Sequence, residues 1–393
     1  MAAREVFIVS TARTPIGAFQ GALRTFDAPT LGAKAIEAAL ERGGVNPELV
    51  DETFMGNVLT AGVGQAPARR AAKLAGVPDK TPATTVGKVC GSGMQSIVFG
   101  AKSILLGDAE IVIAGGMESM SNAPYLLPKA RAGYRLGHGR VVDSMIEDGL
   151  WDPYNDFHMG NAGELCAREH GFSREAQDEF AVTSYERAHA AQKDGKFDAE
   201  LVAVTIEGRK GDTVVAADEE PGRANFDKMP RLRPAFDSEG TITAANASKL
   251  NDGAAALILA SGEAVETHGL KPIAKLTGYA GHAQAPEWFT TAPVGAVKNV
   301  LAKTGLKVGD IDLFEVNEAF AVVSMACVSM AGVPHDKMNV WGGAIALGHP
   351  IGCSGARIVV TLLSQLVDRG ARRGLATLCI GGGEALALVV ERV

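Results

Sequence analysis

Residues 90–116 read CGSGMQSIVFGAKSILLGDAEIVIAGG, and this stretch decides the fold class. Over Ser92–Gly107 the apolar residues recur at i, i+3, i+4 and i+7, which predicts a helix with one apolar face. The run Ile111–Ala114 that follows is short, apolar and β-branched and leads into Gly115-Gly116, so it predicts a buried strand. Together these signals describe one unit of an α/β fold: a small loop, a helix, a buried strand and a glycine cluster.

The same layout returns near the end of the chain. Gly352-Cys353-Ser354-Gly355 opens a predicted helix that runs through Val367, and the predicted strand Leu375–Ile380 ends in Gly381-Gly382-Gly383. We therefore predict two similar α/β halves that face each other. Further signals of the same kind are predicted strands at Val6–Val9, Ala254–Ala260 and Ile311–Val316, and a predicted helix at Leu31–Arg42.

The region between the halves, residues 121–250, has a different composition. It is rich in Gly, Pro, Asp and Arg and contains one strongly polar predicted helix over about 174–192. We interpret it as an insertion that covers a site. The predicted domains are an N-terminal domain of residues 1–120 with 251–270, a loop domain of residues 121–250 and a C-terminal domain of residues 271–393.

Composition and charge exclude several classes of protein. Hydrophobic residues make up 47% of the 393 residues and charged residues 21%, which excludes a disordered chain. The net charge of −7, without a dense basic run, argues against a nucleic-acid partner. We find no apolar stretch of the roughly 18 residues that cross a bilayer, so we expect no membrane partner.

Targeting and cysteine signals favour a reducing, cytoplasmic location. The first residues, MAAREVFIVSTARTPIG, do not resemble a signal peptide, and the last three, ERV, differ from the Ser-Lys-Leu peroxisomal address. The five cysteines form no CxxC pair, so neither a disulfide framework nor a zinc ribbon is predicted. The chain also lacks GxGxxG after a strand, GxxxxGK(S/T), HExxH and GxSxG, the anchors of nucleotide-binding, zinc-protease and serine-hydrolase sites.

Cys90 is the first candidate for chemistry. It lies at the predicted opening of a helix, where backbone N–H groups and the helix dipole stabilise an anion, so we expect its thiol to have a lowered pKa. The glycines that flank it would let a substrate carbonyl approach the backbone. Position alone favours a nucleophile and an inert core cysteine equally.

Four other positions carry possible chemistry, each with an ordinary structural alternative. His349 precedes a proline on an extended loop and is either a base for a thiol or a structural histidine. Cys379 ends a predicted strand at the sheet edge where open α/β folds bind ligands, or is a plain strand cysteine. Gly381-Gly382-Gly383 forms either an oxyanion hole or a turn. Asn317 either caps a helix or holds a water that polarises a carbonyl.

Taken together, these stretches resemble the thiolase family over essentially the whole chain, most specifically its acetyl-CoA acetyltransferase branch. The resemblance implies a five-layered α-β-α-β-α fold of two duplicated halves with an inserted loop domain. It also implies a homotetramer, a dimer of dimers, to which residues 123–142 contribute. The motifs that carry the resemblance are STARTPIG (10–17), VCGSGM (89–94), NEAF (317–320), GGAIALGHP (342–350) and CIGGG (379–383).

The resemblance implies a reversible Claisen condensation of two acetyl-CoA molecules to acetoacetyl-CoA and CoA. His349 takes the proton of Cys90, which becomes the acyl-thioester nucleophile and gives ping-pong kinetics through acetyl-Cys90. Cys379 is the acid/base that acts on the second acetyl-CoA. Asn317, through a water, and His349 form one oxyanion hole, and the backbone N–H groups of Cys90 and Gly381 form another.

The resemblance also implies the coenzyme A contacts, and it implies no metal and no separate cofactor, because the coenzyme A thioester is the substrate. The contacts are Leu150, His158, Met159, Arg223, Phe236, Ala244, Ser248, Ala319 and Phe320, of which Arg223 matches across a one-residue gap. His158-Met159-Gly160 resembles the short-chain, C4-preferring members. Trp288-Phe289, where many short-chain members carry Met, keeps open a degradative 3-ketoacyl-CoA thiolase of wider range. A non-catalytic acyl-CoA carrier on the same scaffold is the alternative from another class.

Overall fold

The computed structural model describes residues 4–393, which form a mixed α/β structure with an inserted segment between its halves. The strands are β1 (Val6–Arg13), β2 (Gly17–Ala18), β3 (Glu52–Gly56), β4 (Ala83–Val86), β5 (Ile111–Ser119), β6 (Tyr125–Leu126), β7 (Val142–Asp143), β8 (Trp151–Asp152), β9 (Phe157–His158), β10 (Val204–Ile206), β11 (Thr213–Val215), β12 (Asn251–Ser261), β13 (Ala274–Ala283), β14 (Leu313–Val316), β15 (Arg373–Ile380) and β16 (Glu384–Arg392).

The helices connect these strands and cover the sheet. They are α1 (Ala28–Gly43), α2 (Pro67–Leu74), α3 (Ser92–Leu106), α4 (Met159–His170), α5 (Arg174–Lys193), α6 (Gly262–Thr267), α7 (Ala292–Thr304), α8 (Ala321–Ala331), α9 (Ala344–Leu347) and α10 (Ile351–Asp368). Short 3-10 turns lie at Pro47–Leu49, Met120–Asn122, Pro221–Arg223, Phe226–Arg231, Pro286–Trp288, Val308–Asp310 and His335–Lys337, and a π-helical turn lies at Ile146–Leu150.

The main sheet has the strand order β14-β15-β16-β13-β1-β12-β5-β3-β4, with β2 beside β12. Its two halves meet where Phe7 and Ile8 of β1 pair with Lys275 and Ala274 of β13. Each half contains a parallel pair that needs a helical crossover, β3 with β5 in the first and β14 with β15 in the second. This pairing brings the carboxyl ends of β14 and β15, and therefore Asn317 and Cys379, to one edge.

Strand alternation explains the layering, because both faces of the sheet are buried. Along β12, Ala255, Leu257 and Leu259 face one apolar cluster, and Ala256 and Ile258 face another. The first cluster contains α3 and α10, which lie between the two halves of the sheet. Helices α1 and α2 cover the outer face of the first half, and α7 and α8 cover that of the second. The expected five-layered α-β-α-β-α fold of two similar halves is therefore confirmed.

The helix α3 extends over Ser92–Leu106 and ends at Gly107 with φ +84°, close to the predicted 92–107. Within residues 121–250 the prediction of one helix is wrong, because α4 precedes the predicted α5. The sequence MGNAGELCAREH of α4 buries small residues and Cys166, so it lacks a stripe of large apolar side chains. The proposed division into three domains stays a prediction, and its first three residues lie outside the described part of the chain.

The expectation that no apolar stretch is long enough to cross a bilayer is wrong. Val89–Leu106 and Ile351–Asp368 each contain 18 residues with a mean hydropathy of 1.3. They correspond to the helices of the central layer, and 83% of the second segment is buried inside the protein. A helix between the two halves of the sheet has apolar neighbours on most sides, which accounts for this composition.

Candidate active site

A tight turn holds Cys90 just ahead of α3. Val89 adopts a left-handed conformation with φ +44°, which costs a β-branched residue of the order of 1–3 kcal/mol. Two backbone hydrogen bonds close the turn. The Gly91 N–H donates to the Lys88 carbonyl at 3.0 Å, and the Ser92 N–H donates to the Val89 carbonyl at 3.1 Å. The Ser92 hydroxyl also donates to the Val89 carbonyl (2.7 Å). These bonds stabilise one strained conformation at the candidate nucleophile.

The expectation of a lowered pKa for the Cys90 thiol is wrong. Burial raises the pKa of Cys90 to about 11, and the backbone N–H groups of Gly381 and of Cys90 itself, which donate to the sulfur, lower it only in part. Nearby Glu118 raises the pKa further. The helix N-terminus therefore does not outweigh the loss of hydration, and the resting group is a neutral thiol that needs a base.

The hydrogen bonds of His349 define which ring nitrogen is the base. Its Nδ1 lies 2.5 Å from the Ser354 hydroxyl, and that hydroxyl donates its single hydrogen to the Pro350 carbonyl (2.8 Å). The hydroxyl must therefore accept from Nδ1–H, which leaves Nε2 without a proton in the neutral ring. Nε2 is buried and has no partner within residues 4–393.

Burial also makes this imidazole neutral. It lowers the pKa of His349 to about 3, with a smaller lowering from the Arg357 charge. The loop is fixed from the other side by Asn251, whose Oδ1 accepts from the His349 backbone N–H at 2.9 Å. A neutral imidazole with a free Nε2 is the form that accepts a proton from a thiol.

Asn317 contributes a buried side-chain amide with unused hydrogen-bonding capacity. It follows β14, and its backbone N–H donates to the Thr377 carbonyl of β15 at 3.0 Å. Neither its Oδ1 nor its Nδ2 has a partner in the described chain. Leaving both unpaired is costly, so this position is where a water or a substrate oxygen is expected to bind. The N-cap alternative is wrong, because α8 begins at Ala321 after Phe320.

Cys379 lies at the end of β15, close to the turn that bears Cys90. Burial raises the pKa of its thiol, and the proximity of Cys90 raises it further. The two turns touch, because a Cβ added to Gly91 would collide with Ile380. The following turn depends on glycine, since Gly382 and Gly383 have φ +90° and +85°. In this turn, the Gly381 N–H donates a hydrogen bond to the Cys90 sulfur.

An inner cavity of about 290 Å³ is lined in part by His349. Ile351 and Met120 line this cavity and belong to the apolar cluster against which Cys90 packs. Cys90, Cys379 and Gly381 therefore lie close together, and His349 lines a cavity whose wall residues Met120 and Ile351 also pack against Cys90. Within residues 4–393, no group of three or more His, Cys, Asp and Glu side chains is arranged to hold a metal ion.

An outer cavity of about 510 Å³ shares a wall with the inner one, composed of Phe236 and residues 247–250. Of the expected coenzyme contacts, the inner cavity is lined by Leu150, His158, Phe236, Ser248 and Phe320, and the outer by Arg223, Phe236, Ala244 and Ser248. Met159 and Ala319 line neither. The Met159 sulfur instead lies beside Gly381, and the Ala319 carbonyl accepts from the Ser248 N–H at 2.9 Å.

His158 is fixed in the inner cavity by stacking and by helix capping. Its ring stacks on Phe236 with centroids 4.7 Å apart, and its Nδ1 accepts from the Gly160 N–H at 3.0 Å. Burial lowers the pKa of His158, so the neutral ring carries its hydrogen on Nε2. A Cβ on Gly160 would overlap the Phe236 ring, so this close packing requires glycine there.

Comparison with known protein families shows where the chain belongs. The family model for the thiolase N-terminal domain matches residues 6–263, and that for the thiolase C-terminal domain matches residues 270–392. The chain belongs to the thiolase family.

Several relatives share nearly the full length of this thiolase chain. It is 53% identical to the acetyl-CoA acetyltransferase of Cupriavidus necator over 99% of both chains. It is 51% identical to acetyl-CoA acetyltransferase IA of Candida tropicalis, over 100% of this chain and 98% of that one. The solved structure of the Bacillus anthracis acetyl-CoA acetyltransferase superposes with a TM-score of 0.97 at 40% identity, over 100% of both chains.

Sequence reasoning missed three residues of this thiolase site. In the sequence, Ser354 is only part of a predicted helix opening, although it lies five residues after His349 on the first turn of α10. The left-handed Val89 gives no signal in the sequence, because no glycine or asparagine marks it. Lys249, in the wall between the cavities, follows Ser248 directly, and a lysine in a loop reads as a solvated side chain.

Proposed function

We propose that this chain is an acetyl-CoA C-acetyltransferase, which condenses two acetyl-CoA molecules to acetoacetyl-CoA and CoA and catalyses the reverse thiolysis. The observation that carries the proposal is the proximity of the Cys90 and Cys379 thiols beside a cavity that is lined by His349, whose Nε2 is free. The acetyl-CoA acetyltransferases that resemble the chain over its full length support it. A non-catalytic carrier would have no use for this set of proton-transfer groups.

In the first half-reaction, His349 Nε2 takes the proton of Cys90, and the sulfur attacks the thioester carbonyl of acetyl-CoA. The N–H groups of Cys90 and Gly381 stabilise the oxyanion of the tetrahedral intermediate. When this intermediate collapses, the C–S bond to coenzyme A breaks and Cys379 donates its proton to the departing sulfur. The products are acetyl-Cys90, free CoA, a Cys379 thiolate and a His349 imidazolium.

In the second half-reaction, the Cys379 thiolate removes a methyl proton from a second acetyl-CoA. The His349 Nε2–H and a water held by Asn317 stabilise the enolate oxygen. The carbanion attacks acetyl-Cys90, acetoacetyl-CoA forms and the Cys90 sulfur leaves, taking its proton back from His349. Both thiols and the neutral imidazole are restored, so protons and bonds balance over the cycle.

The shifted pKa values of Cys379 and His349 fit these roles. A Cys379 thiol whose pKa is raised by burial is neutral at rest, and once it has lost its proton it is a strong base. A His349 whose pKa is lowered to about 3 accepts the Cys90 proton only while the reaction stabilises the imidazolium. Proton transfer is thereby coupled to acyl transfer.

We place coenzyme A across the two cavities, with its thioester end in the inner one. Leu150, His158, Met159, Phe236, Ala244, Ser248, Ala319 and Phe320 are proposed to contact the pantetheine arm. The exposed guanidinium of Arg223 at the outer cavity suits an anionic phosphate. The coenzyme A thioester is then the substrate, and the proposal includes no separate cofactor.

We also propose that the enzyme prefers a short acyl group. Phe289 is only 3% exposed, and its ring packs against Phe320 with centroids 6.4 Å apart, in the cluster that contains Cys379. The test is thiolysis of acetoacetyl-CoA, 2-methylacetoacetyl-CoA and a C16 ketoacyl-CoA side by side. We expect a steep fall in kcat/KM beyond C4. Equal rates across chain lengths would instead support the degradative 3-ketoacyl-CoA thiolase.

We further propose a homotetrameric, cytoplasmic enzyme. The segment 123–142 exposes apolar side chains, among them Tyr125 (69%), Leu127 (52%) and Leu136 (101%), which suits contact with another copy. All five cysteines are free thiols, as a reducing compartment would keep them.

A further inference from the structure

Lys249 places an ammonium group inside the wall between the two cavities. Its Nζ donates to the Ala247 carbonyl at 2.8 Å and to the Ile345 carbonyl at 3.3 Å. It also lies 5.6 Å from the centroid of the Tyr185 ring, within the range of a cation–π contact. Two carbonyl oxygens and a ring face therefore surround a cation that the chain itself supplies.

The charges around this ammonium are carboxylates at a distance. Burial lowers the pKa of Lys249 to about 8, and the charges of Glu220 and Glu318 oppose this lowering. No carboxylate of the described residues lies within 4.0 Å of the nitrogen, so it forms no direct ion pair. Burying an ammonium costs free energy that two hydrogen bonds to carbonyl oxygens offset only in part, and a methionine or leucine would fill the space at a smaller free-energy cost.

The carbonyls of Ala247 and Ile345 belong to two segments for which different roles are proposed, one in substrate binding and one in proton transfer. Ala247 precedes Ser248, a proposed pantetheine contact, and pairs with Phe320 in an isolated antiparallel bridge. Ile345 belongs to α9, the short helix that leads to His349. The backbone N–H of Ile345 is hydrogen-bonded as well, since it donates to the Glu318 carboxylate at 3.1 Å. Glu318 follows Asn317 directly in the chain.

We propose that Lys249 is a positioning residue of this thiolase, a tethered internal cation that ties the substrate-binding segment at Ser248 to the loop that carries His349. This inference rests on the proposed function and deepens it. The ammonium bonds to Ala247 and Ile345 set the distance between the bound thioester and the catalytic base. Glu318 completes the connection from Ile345 to Asn317, which holds the oxyanion water.

The test compares Lys249→Met, which keeps most of the unbranched side chain and removes the ammonium, with the unaltered enzyme in thiolysis of acetoacetyl-CoA. Loss of two hydrogen bonds from a charged donor predicts a fall in kcat/KM of roughly tenfold to a hundredfold, largely in kcat. Lys298→Met is the matched control, because Lys298 is an exposed lysine on α7. It should behave like the unaltered enzyme.

Chemical rescue separates a positioning role from simple damage to the fold. In Lys249→Gly, ammonium or methylammonium chloride is expected to restore part of kcat, because either cation can enter the space and donate to both carbonyls. Tetramethylammonium chloride at the same concentration has no N–H to donate and should restore nothing. If Lys249→Met fails to fold, this series on Lys249→Gly decides the question, and the absence of rescue in folded protein contradicts the proposal.

A substrate without phosphates excludes a direct role in coenzyme binding. With acetoacetyl-pantetheine the loss in Lys249→Met should persist, since the positioned groups are the same. A loss that appears only in KM and vanishes with this substrate would show that Lys249 binds the phosphates, and would overturn the inference. Full activity in Lys249→Met would also overturn it. Inactive unaltered enzyme would instead contradict the proposed function.

Discussion

The tautomer of His349 depends on one hydroxyl, that of Ser354. When Nε2 takes the Cys90 proton, the ring becomes an imidazolium, and the Nδ1–H bond to Ser354 becomes charge-assisted. Ser354→Ala should therefore lower kcat by roughly tenfold to a hundredfold, the effect expected of a hydrogen bond to a charged group.

The measurement is steady-state thiolysis at several pH values. Ser364→Ala is the control, because this serine lies on the same helix and its hydroxyl bonds only to the Val360 carbonyl. An unchanged kcat in Ser354→Ala would show that the ring is held by other contacts.

The reactivity of the resting Cys90 thiol should depend steeply on pH. Because burial raises the pKa of Cys90 to about 11, only the thiolate fraction reacts with iodoacetamide. That fraction, and hence the inactivation rate, should rise about tenfold per pH unit between pH 6 and pH 9. A rate that is constant over this range would instead show a thiolate stabilised by a protonated His349.

For single residues, the sequence predicted which side chains are candidates for catalysis better than it predicted their pKa values and hydrogen-bond partners. Cys90, His349 and Cys379 could be picked out because each lies beside glycines at the end of a predicted element. The direction of the pKa shift of Cys90 could not be predicted, because it depends on burial by distant segments such as those of Met145 and Ile351. The partners of Lys249 and Ser354 depend likewise on the folded arrangement.

Among the elements, strand β1 is joined to the inserted segment by a buried ion network. Arg13, with no exposed surface, donates to Asp218 at 2.7 and 2.9 Å and to Glu200 at 2.5 Å. Arg13→Met leaves two buried carboxylates without their cation, so the free energy of unfolding should fall by about 3–5 kcal/mol.

Urea unfolding at pH 7, followed by circular dichroism, measures this loss. Arg4→Met removes a partly exposed arginine that pairs with Glu110 and serves as the control, for which a much smaller change is expected. A similar small change in Arg13→Met would mean that the insertion is held to β1 by its backbone hydrogen bonds and packing, and not by this ion network.

Elements with strong local signals were the ones that could be predicted. Helix α3 has a clear apolar face and ends at a left-handed glycine, and Ala254–Ala260 of β12 is continuously apolar because both faces of the strand are buried. Helix α4 could not be predicted because its N-cap is His158 and its buried face, apart from Met159 and Glu164, consists of small residues. The short sheets β6–β7 and β8–β9 have only two residues per strand and leave no periodic signal.

At the scale of the whole molecule, the exposed apolar side chains of residues 123–142 predict an assembly. Leu136 is fully exposed in the single chain, and a charge there would oppose its burial between copies. Leu136→Asp should therefore convert the proposed tetramer to dimers, measured by light scattering after size exclusion. A tetramer that survives the substitution would place the interface elsewhere.

The account depends most on Cys90 carrying the acetyl group. The direct measurement is mass spectrometry of the protein after incubation with acetyl-CoA and acid quenching, followed by peptide mapping. We predict one acetyl group per chain, located on Cys90 and absent from Cys90→Ala. An acetyl group retained on another residue in Cys90→Ala, or no acetylation of an enzyme that is active in thiolysis, would contradict the mechanism.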